Sequence, residues 1–313
     1  MKKADTTLKR KTKENIFCFC VVIIFVLQWL LFWLYANFNS IRLAFTEFNL
    51  QTETHVYLPY ERLFENFKNF IGDVFDNVGG KYILNGAVMH LLNTLVCLPF
   101  SYMIAFIIYK KLPGTGFFKV TLYLPSILSA MVTTLLFRHF VEGFLDEVWF
   151  KLFNKSLPFV MIDPKYNWWV VGTYIVFFGL PGNLLINIGS ISRVPPELVE
   201  YGELEGISLF KEFTTITLPL VFPVLQVQCL GLFVGFFTAE GPLYSLYAGK
   251  APENLITFGY YMFTSVYEGR GGVRPELMYG YNSAANLLIG VLSVPIVQIT
   301  KKLFDLFDPE AEY

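Results

Sequence analysis

Residues Tyr82–Tyr109 read YILNGAVMHLLNTLVCLPFSYMIAFIIY, 28 consecutive positions without one Asp, Glu, Lys or Arg. A helix that crosses a bilayer needs about 20 predominantly apolar residues, so this stretch is long enough to span with some tilt. Its apolar residues are continuous rather than alternating, which predicts a helix and not a barrel strand. Five further charge-free windows lie outward from it: Ile16–Ile41, Val120–Phe137, Tyr166–Ser192, Phe213–Ala239 and Leu277–Thr300. The six windows hold 150 of the 313 residues, too many to read as buried helices of a soluble protein. Val120–Phe137 is the shortest at 18 residues, with Arg138 placed to snorkel from its end. The sequence therefore predicts an all-α, polytopic membrane protein with six transmembrane helices.

Composition agrees. Apolar residues make up 54% of the chain and charged residues 16%, against about 25% charged in an average soluble domain. Mean hydropathy is +0.49. These values speak against a water-soluble enzyme and a disordered chain. A net charge of −1 gives no basic field for nucleic acid. Orientation follows from Lys and Arg, which concentrate on the cytoplasmic side of membranes. With the first tail inside, the inner segments carry 13 basic residues in 58 positions and the outer ones 11 in 105. The expected layout is a cytoplasmic tail over 1–15, a six-helix domain over 16–303 with a cytoplasmic loop at 193–212, and a cytoplasmic tail over 304–313. The first window lacks a small-residue cleavage site and reads as an uncleaved span. Cys18, Cys20, Cys97 and Cys229 lie inside the windows without metal-like spacing and read as small packing residues. Glu61–Phe70 reads as a short amphipathic helix on the membrane surface.

Several chemistries have no sequence support. Gly80-Lys81 and Gly249-Lys250 are not followed by the Ser or Thr of a phosphate-binding loop. His55, His90 and His139 form no zinc motif, and no nucleophile elbow occurs. The chain is therefore expected to be non-catalytic and to hold no cofactor. The windows contain no ionisable carboxylate or amine, which argues against an ion-coupled carrier. Their polar groups are neutral: Asn93, Asn183, Asn187, Gln226, Gln228 and Asn286. Such amides suit hydrogen bonds to an uncharged polyhydroxyl solute, or to one another.

One inner segment, Arg193–Glu212, carries five acids and two basic residues. Pro196-Glu197 is a helix start and Gly206 a helix stop. Leu198, Tyr201 and Leu204 then form one apolar ridge, with Glu197, Glu200, Glu203 and Glu205 on the other faces. Lipid headgroups favour Lys and Arg on such a helix, so the acids point to a protein partner instead. Ser208 is placed to cap a following helix that runs into the fifth window, with Pro219 near its start.

Glu200-Tyr201-Gly202, three residues, Gly206, nine residues and Ile216-Thr217-Leu218-Pro219 resemble the E-A-A-x3-G-x9-I-x-L-P signature of permease subunits in binding-protein-dependent ABC importers. Tyr201 and Gly202 replace the two alanines, and Glu205 stands where Asp is usual. Leu43–Asn49, Asn66–Phe70, Asn93-Thr94-Leu95, Gly116-Phe117-Phe118 and Leu122–Pro125 extend the likeness over roughly 16–303. It is nearest to the carbohydrate-uptake permeases of the maltose and multiple-sugar type. The resemblance implies the type I ABC importer permease fold in a bacterial cytoplasmic membrane. It implies a second permease, two cytoplasmic ATPase subunits that bind ATP and Mg, an extracellular solute-binding protein, and a sugar as cargo. Glu197, Glu200, Tyr201, Gly202, Glu203, Gly206, Ile216, Leu218 and Pro219 would couple to the ATPase. Asn183, Gln226, Gln228, Phe237 and Asn286 are the candidates for the sugar pathway, Phe237 by stacking. An importer of another solute, a secondary carrier and a membrane enzyme are the competing readings.

Overall fold

The structure is a computed structural model and describes residues 2–238, 241–269 and 273–306. It divides into two compact units, Met1–Ile71 with Arg274–Leu288, and Gly72–Val273 with Ile289–Tyr313.

In the first unit, α1 (Asn15–Ala44) is long and apolar enough to span, and none of its most apolar window is buried. Trp29 stacks on Trp33 along it, ring centroids 4.8 Å apart. The antiparallel strands β1 (Thr46–Asn49) and β2 (Thr54–Tyr57) follow, pairing Thr46 with Tyr57 and Asn49 with Thr54. The predicted surface helix begins later than expected: Tyr60–Arg62 is a 3-10 turn, and α2 runs over Glu65–Phe75. Asn66 at its start donates to the carbonyls of Ala44 and Thr46, at 2.9 and 3.0 Å, and so ties the helix back to the end of α1. Gly280 closes against the same place. A Cβ there would lie 2.4 Å from the Thr46 carbonyl oxygen, so only glycine permits the approach.

The second unit begins with α3 (Gly79–Tyr109), the helix of the longest window. Then comes a pair, α4 (Thr115–Ile127) and α5 (Ala130–Phe153). The sequence predicts one helix over Val120–Phe137, and here the chain departs from it: the two halves are bent by 104°. Leu128 and Ser129 adopt extended backbone, and the Ser129 side chain accepts from Val132 N to start the second helix. Pro125 weakens the end of the first by removing a backbone donor. The spans α6 (Asn167–Ile191), the short α7 (Pro196–Leu204) and α8 (209–238) follow. The remaining elements are α9 (Leu243–Tyr247) and α10 (Phe258–Tyr267), with α11 (Pro275–Asp305) belonging to the first unit up to Leu288 and to the second from Ile289.

Two spans share a device. A π-turn at Asn93–Cys97 ends two residues before Pro99, and another at Phe213–Thr217 ends two residues before Pro219. Proline offers no N–H and crowds the preceding turn. A π-turn loosens the ladder where that strain falls, so both helices pass through their prolines. The core of the unit joins the second halves of α3 and α6 to the start of α8: Leu98, Tyr102, Ala105, Phe106 and Ile108 pack with Leu184, Ile191, Phe213 and Val221. Cys97 and Cys229 are buried as expected, whereas Cys18 and Cys20 are exposed on α1.

Candidate functional site

Two places in the second unit have the chemistry of a site. The first is the acidic segment. Pro196 occupies the first turn of α7, where a missing N–H costs nothing, and Glu197 lies at the positive end of the helix dipole. Gly206 takes φ +67°, the left-handed conformation that closes a helix. The N–H of Ile207 then reaches back to the Gly202 carbonyl at 3.2 Å. Ser208 caps α8 by accepting from Lys211 N.

This closure lets the spaced signature residues meet. A Cβ on Gly202 would lie 3.0 Å from Ile207 Cδ1 and 3.1 Å from Ile216 Cδ1, so Gly202 is the floor on which both isoleucines rest. Leu218 and Pro219 begin the regular part of α8 just beyond the π-turn. The ridge faces outward: Leu198 is 42%, Tyr201 62% and Leu204 87% exposed. Glu197, Glu200, Glu203 and Glu205 are exposed around it.

The loop is also tied down by charge. Lys110, the residue that caps α3, places its Nζ 2.7 Å from Glu203 Oε1 and 3.0 Å from Glu212 Oε1. Glu212 is 2% exposed. Burial alone would lower the Lys110 pKa, but the hydrogen bond to Glu203 and the ion pair with Glu212 together outweigh it and hold the amine above its usual value.

The second place is a cavity of about 670 Å³. Gly86, Met89, His90 and Asn93 of α3 line one side, and Pro125, Leu128, Ala130 and Thr133 bring in the break between α4 and α5. Tyr174, Phe178, Gly179 and Gly182 of α6 line another, with Gly241, Ser245 and Thr257 closing it. Among the described residues, no Asp, Glu, Lys or Arg lines it. The polar groups are hydroxyls, one amide and one imidazole. Tyr174 and Phe178 present adjoining aromatic rings, centroids 4.6 Å apart, and Tyr174 Oη lies 2.8 Å from Thr134 Oγ1. Gly179 lets α6 approach α3 closely, since a Cβ there would come within 3.0 Å of Asn93 Oδ1 and 3.1 Å of Cys97 Sγ. Aromatic faces beside neutral hydrogen-bonding groups can hold a sugar ring, which offers an apolar face and a rim of hydroxyls.

Four of the five pathway candidates, Asn183, Gln226, Gln228 and Asn286, lie outside this lining. Gln228 accepts from Tyr102 Oη at 2.9 Å and donates to Asn187 Oδ1 at 2.8 Å, while Asn187 donates to Ser101 Oγ at 2.9 Å. This is an interhelical network with its own partners. Gln226 donates to Asp305 Oδ1 at 2.7 Å. Asn183 is half-buried at a bend of α6 beside the cavity, outside its lining. Asn286 is exposed on the first unit. The Phe237 side chain lies outside the described residues. His90, Thr133, Tyr174, Phe178 and Thr257 line the cavity but carry no sequence signal that marks them as solute contacts. Asn93 was noted only as one neutral amide among six.

No protein-family model matches the chain. YesP of Bacillus subtilis (strain 168), a probable ABC transporter permease protein, is 27% identical over 289 residues, which cover 82% of this chain and 87% of YesP. AraP of the same strain, an arabinooligosaccharides transport system permease protein, is 24% identical over 292 residues, 88% of this chain and 85% of AraP. The crystal structure of a bacterial ABC transporter involved in the import of the acidic polysaccharide alginate matches with a TM-score of 0.73 at 16% identity. That match covers 95% of this chain and 98% of the other. The fold is that of ABC importer permeases, and the chain is a multi-pass membrane protein similar over most of its length to ABC transporter permeases. Among such permeases it is similar to those of multiple-sugar and arabinooligosaccharide transport systems, the type that its distributed likeness outside the signature implies.

Proposed function

We propose that this chain is one of two permease subunits of an ATP-driven importer for a neutral oligosaccharide. The observation that carries the reading is the uncharged, aromatic-sided cavity of about 670 Å³, in a chain that also presents the exposed acidic helix α7. The cavity holds the solute during passage, with rings of Tyr174 and Phe178 against sugar faces and Asn93, Thr133 and Thr257 near its hydroxyls. Among the described residues no Lys or Arg lines the cavity, which favours a neutral sugar over an acidic one. Helix α7 docks its Leu198-Tyr201-Leu204 ridge into a groove of a cytoplasmic ATPase, with Glu197, Glu200 and Glu203 setting its register. Gly202, Gly206 and Ile216 hold the shape of that helix, and Leu218 and Pro219 pass its movement to α8. The permease itself performs no covalent chemistry; hydrolysis belongs to the ATPase. Residues 1–15, 193–212 and 304–313 lie on the cytoplasmic side, with 16–303 forming the permease domain.

The test uses membrane vesicles containing this chain, its partner permease, the ATPase and the binding protein. Labelled maltotetraose, arabinotriose and an alginate trisaccharide are offered with ATP. Uptake of a neutral probe that requires ATP and the binding protein is expected. Uptake of the acidic probe alone would assign another solute, and uptake by this chain without ATP would make it a secondary carrier.

A further inference from the structure

Lys110 stands at a junction of three elements. It is the residue on which α3 ends, Glu203 belongs to the docking helix α7, and Glu212 lies in the first turn of α8. One ammonium group therefore meets carboxylates from both other elements, at 2.7 and 3.0 Å. The Lys110 side chain is 9% exposed and that of Glu212 2%, so water screens the Glu212 contact little. Beneath it, Phe106 of α3 packs on Phe213 of α8, ring centroids 5.3 Å apart.

The far end of this contact matters as much. α3 is one helix from Gly79 to Tyr109, and it carries His90 and Asn93 of the cavity lining. At ~1.5 Å per residue, Asn93 lies roughly 25 Å along that helix from Lys110. A displacement of α7 thus has a continuous helical route to the cavity, through the π-turn at Asn93–Cys97, provided α7 stays attached to α3. Apolar packing resists separation of surfaces but gives little resistance to sliding. Charges fixed in one geometry resist both, which suits buried ion groups to setting register.

We propose that Lys110 is a positioning residue for energy coupling: its contacts with Glu203 and Glu212 lock the docking helix to α3, so that ATP-driven movement of α7 reaches the cavity. The inference rests on the reading of α7 as the docking helix. It predicts a loss of coupling rather than of assembly, which separates it from a role in stability alone.

The experiment measures uptake of maltotetraose or arabinotriose, whichever the unmodified complex transports, together with ATP hydrolysed, per assembled complex in vesicles. Lys110→Met with Glu212→Gln removes both charges and leaves no buried ion without a partner. Its complex should assemble and hydrolyse ATP, with uptake per ATP at least tenfold lower. Lys110→Arg keeps a cation between the two carboxylates and should recover most of the ratio. An assembled double variant with the ratio of the unmodified complex would overturn the proposal. If the double variant does not assemble, Glu203→Gln decides, because Glu203 is exposed and the change threatens folding little. Its ratio should fall about threefold, and an unchanged ratio would overturn the proposal. An unmodified complex whose ATP hydrolysis ignores sugar-loaded binding protein is a different failure: it removes the docking-helix reading itself.

Discussion

The acidic loop and the cavity are built on opposite principles. The loop is a local object. Its start, stop and cap are Pro196, Gly206 and Ser208, all within 13 residues, and its interior contact is a glycine under two isoleucines. The cavity is assembled from α3, a broken span, α6 and the segment around α9, and its walls are defined by what is missing: side chains at Gly86, Gly179 and Gly182, and helix continuity at Leu128. The loop is held by ions, whereas the cavity carries none among its described lining residues. The part proposed to transmit force is thus fixed in shape and charge, and the part proposed to pass a solute is open and, among its described lining residues, without Asp, Glu, Lys or Arg.

The largest expected effect tests the ionic side of this contrast. Lys110→Met alone leaves Glu212 buried without its cation and should cost about 3–5 kcal/mol of stability, read as a fall in the unfolding temperature of the detergent-purified complex. Adding Glu212→Gln should return most of it. Next is the packing of the loop. Gly202→Val forces a branched side chain against Ile207 and Ile216, at a cost of about 1–3 kcal/mol. Co-purification of the ATPase should drop with it, while Gly189→Ala, at a position with open space around its Cα, should leave it unchanged.

The cavity responds differently. Gly179→Leu places a bulky chain among Asn93, Cys97 and the cavity, and should lower oligosaccharide uptake at least tenfold, about 1.4 kcal/mol. ATPase co-purification should be retained, and a loss of it would erase the division between the two regions. Smaller still is Gln228→Leu, which unpairs Tyr102 and Asn187 for about 0.6–1.7 kcal/mol; stability should fall slightly and uptake per complex should hold. A change in sugar preference would place Gln228 in the pathway instead. The smallest effect is that of pH on the clamp. The raised pKa of Lys110 means its contribution is fully present below the unfolded amine value, ~10.4, and is lost only as pH rises through the higher folded value. Uptake per ATP should therefore be flat from about pH 6 to 9.

The contrast also explains what could be read in advance. The loop was legible because its signals are short-range: a proline, a left-handed glycine and a serine cap each act on their own few residues. The spans were legible from length and apolarity, with one exception. Val120–Phe137 has the composition of a helix, and only Pro125 and Ser129 hint that it breaks. The cavity was not legible, because a charge-free window conceals which of its residues face inward. Gln228 and Asn93 look alike as amides in apolar runs. The fold turns one into a network with Tyr102 and Asn187 and the other toward open space. Lys110 is silent in the sequence for a related reason, since a lysine just past an apolar window reads as solvated until Glu212 is folded against it.

The broken third span has a consequence for hydration. Each helix end leaves carbonyls or N–H groups without a partner inside the helix, and the break at Leu128–Ser129 puts two such ends beside the cavity. Hydrocarbon does not tolerate exposed backbone of this kind, but a water-filled chamber does. A wall containing two such ends is suited to a water-filled cavity rather than to lipid. If the cavity carries the proposed solute, an entering sugar exchanges hydrogen bonds with water for hydrogen bonds with the wall without crossing an oily barrier.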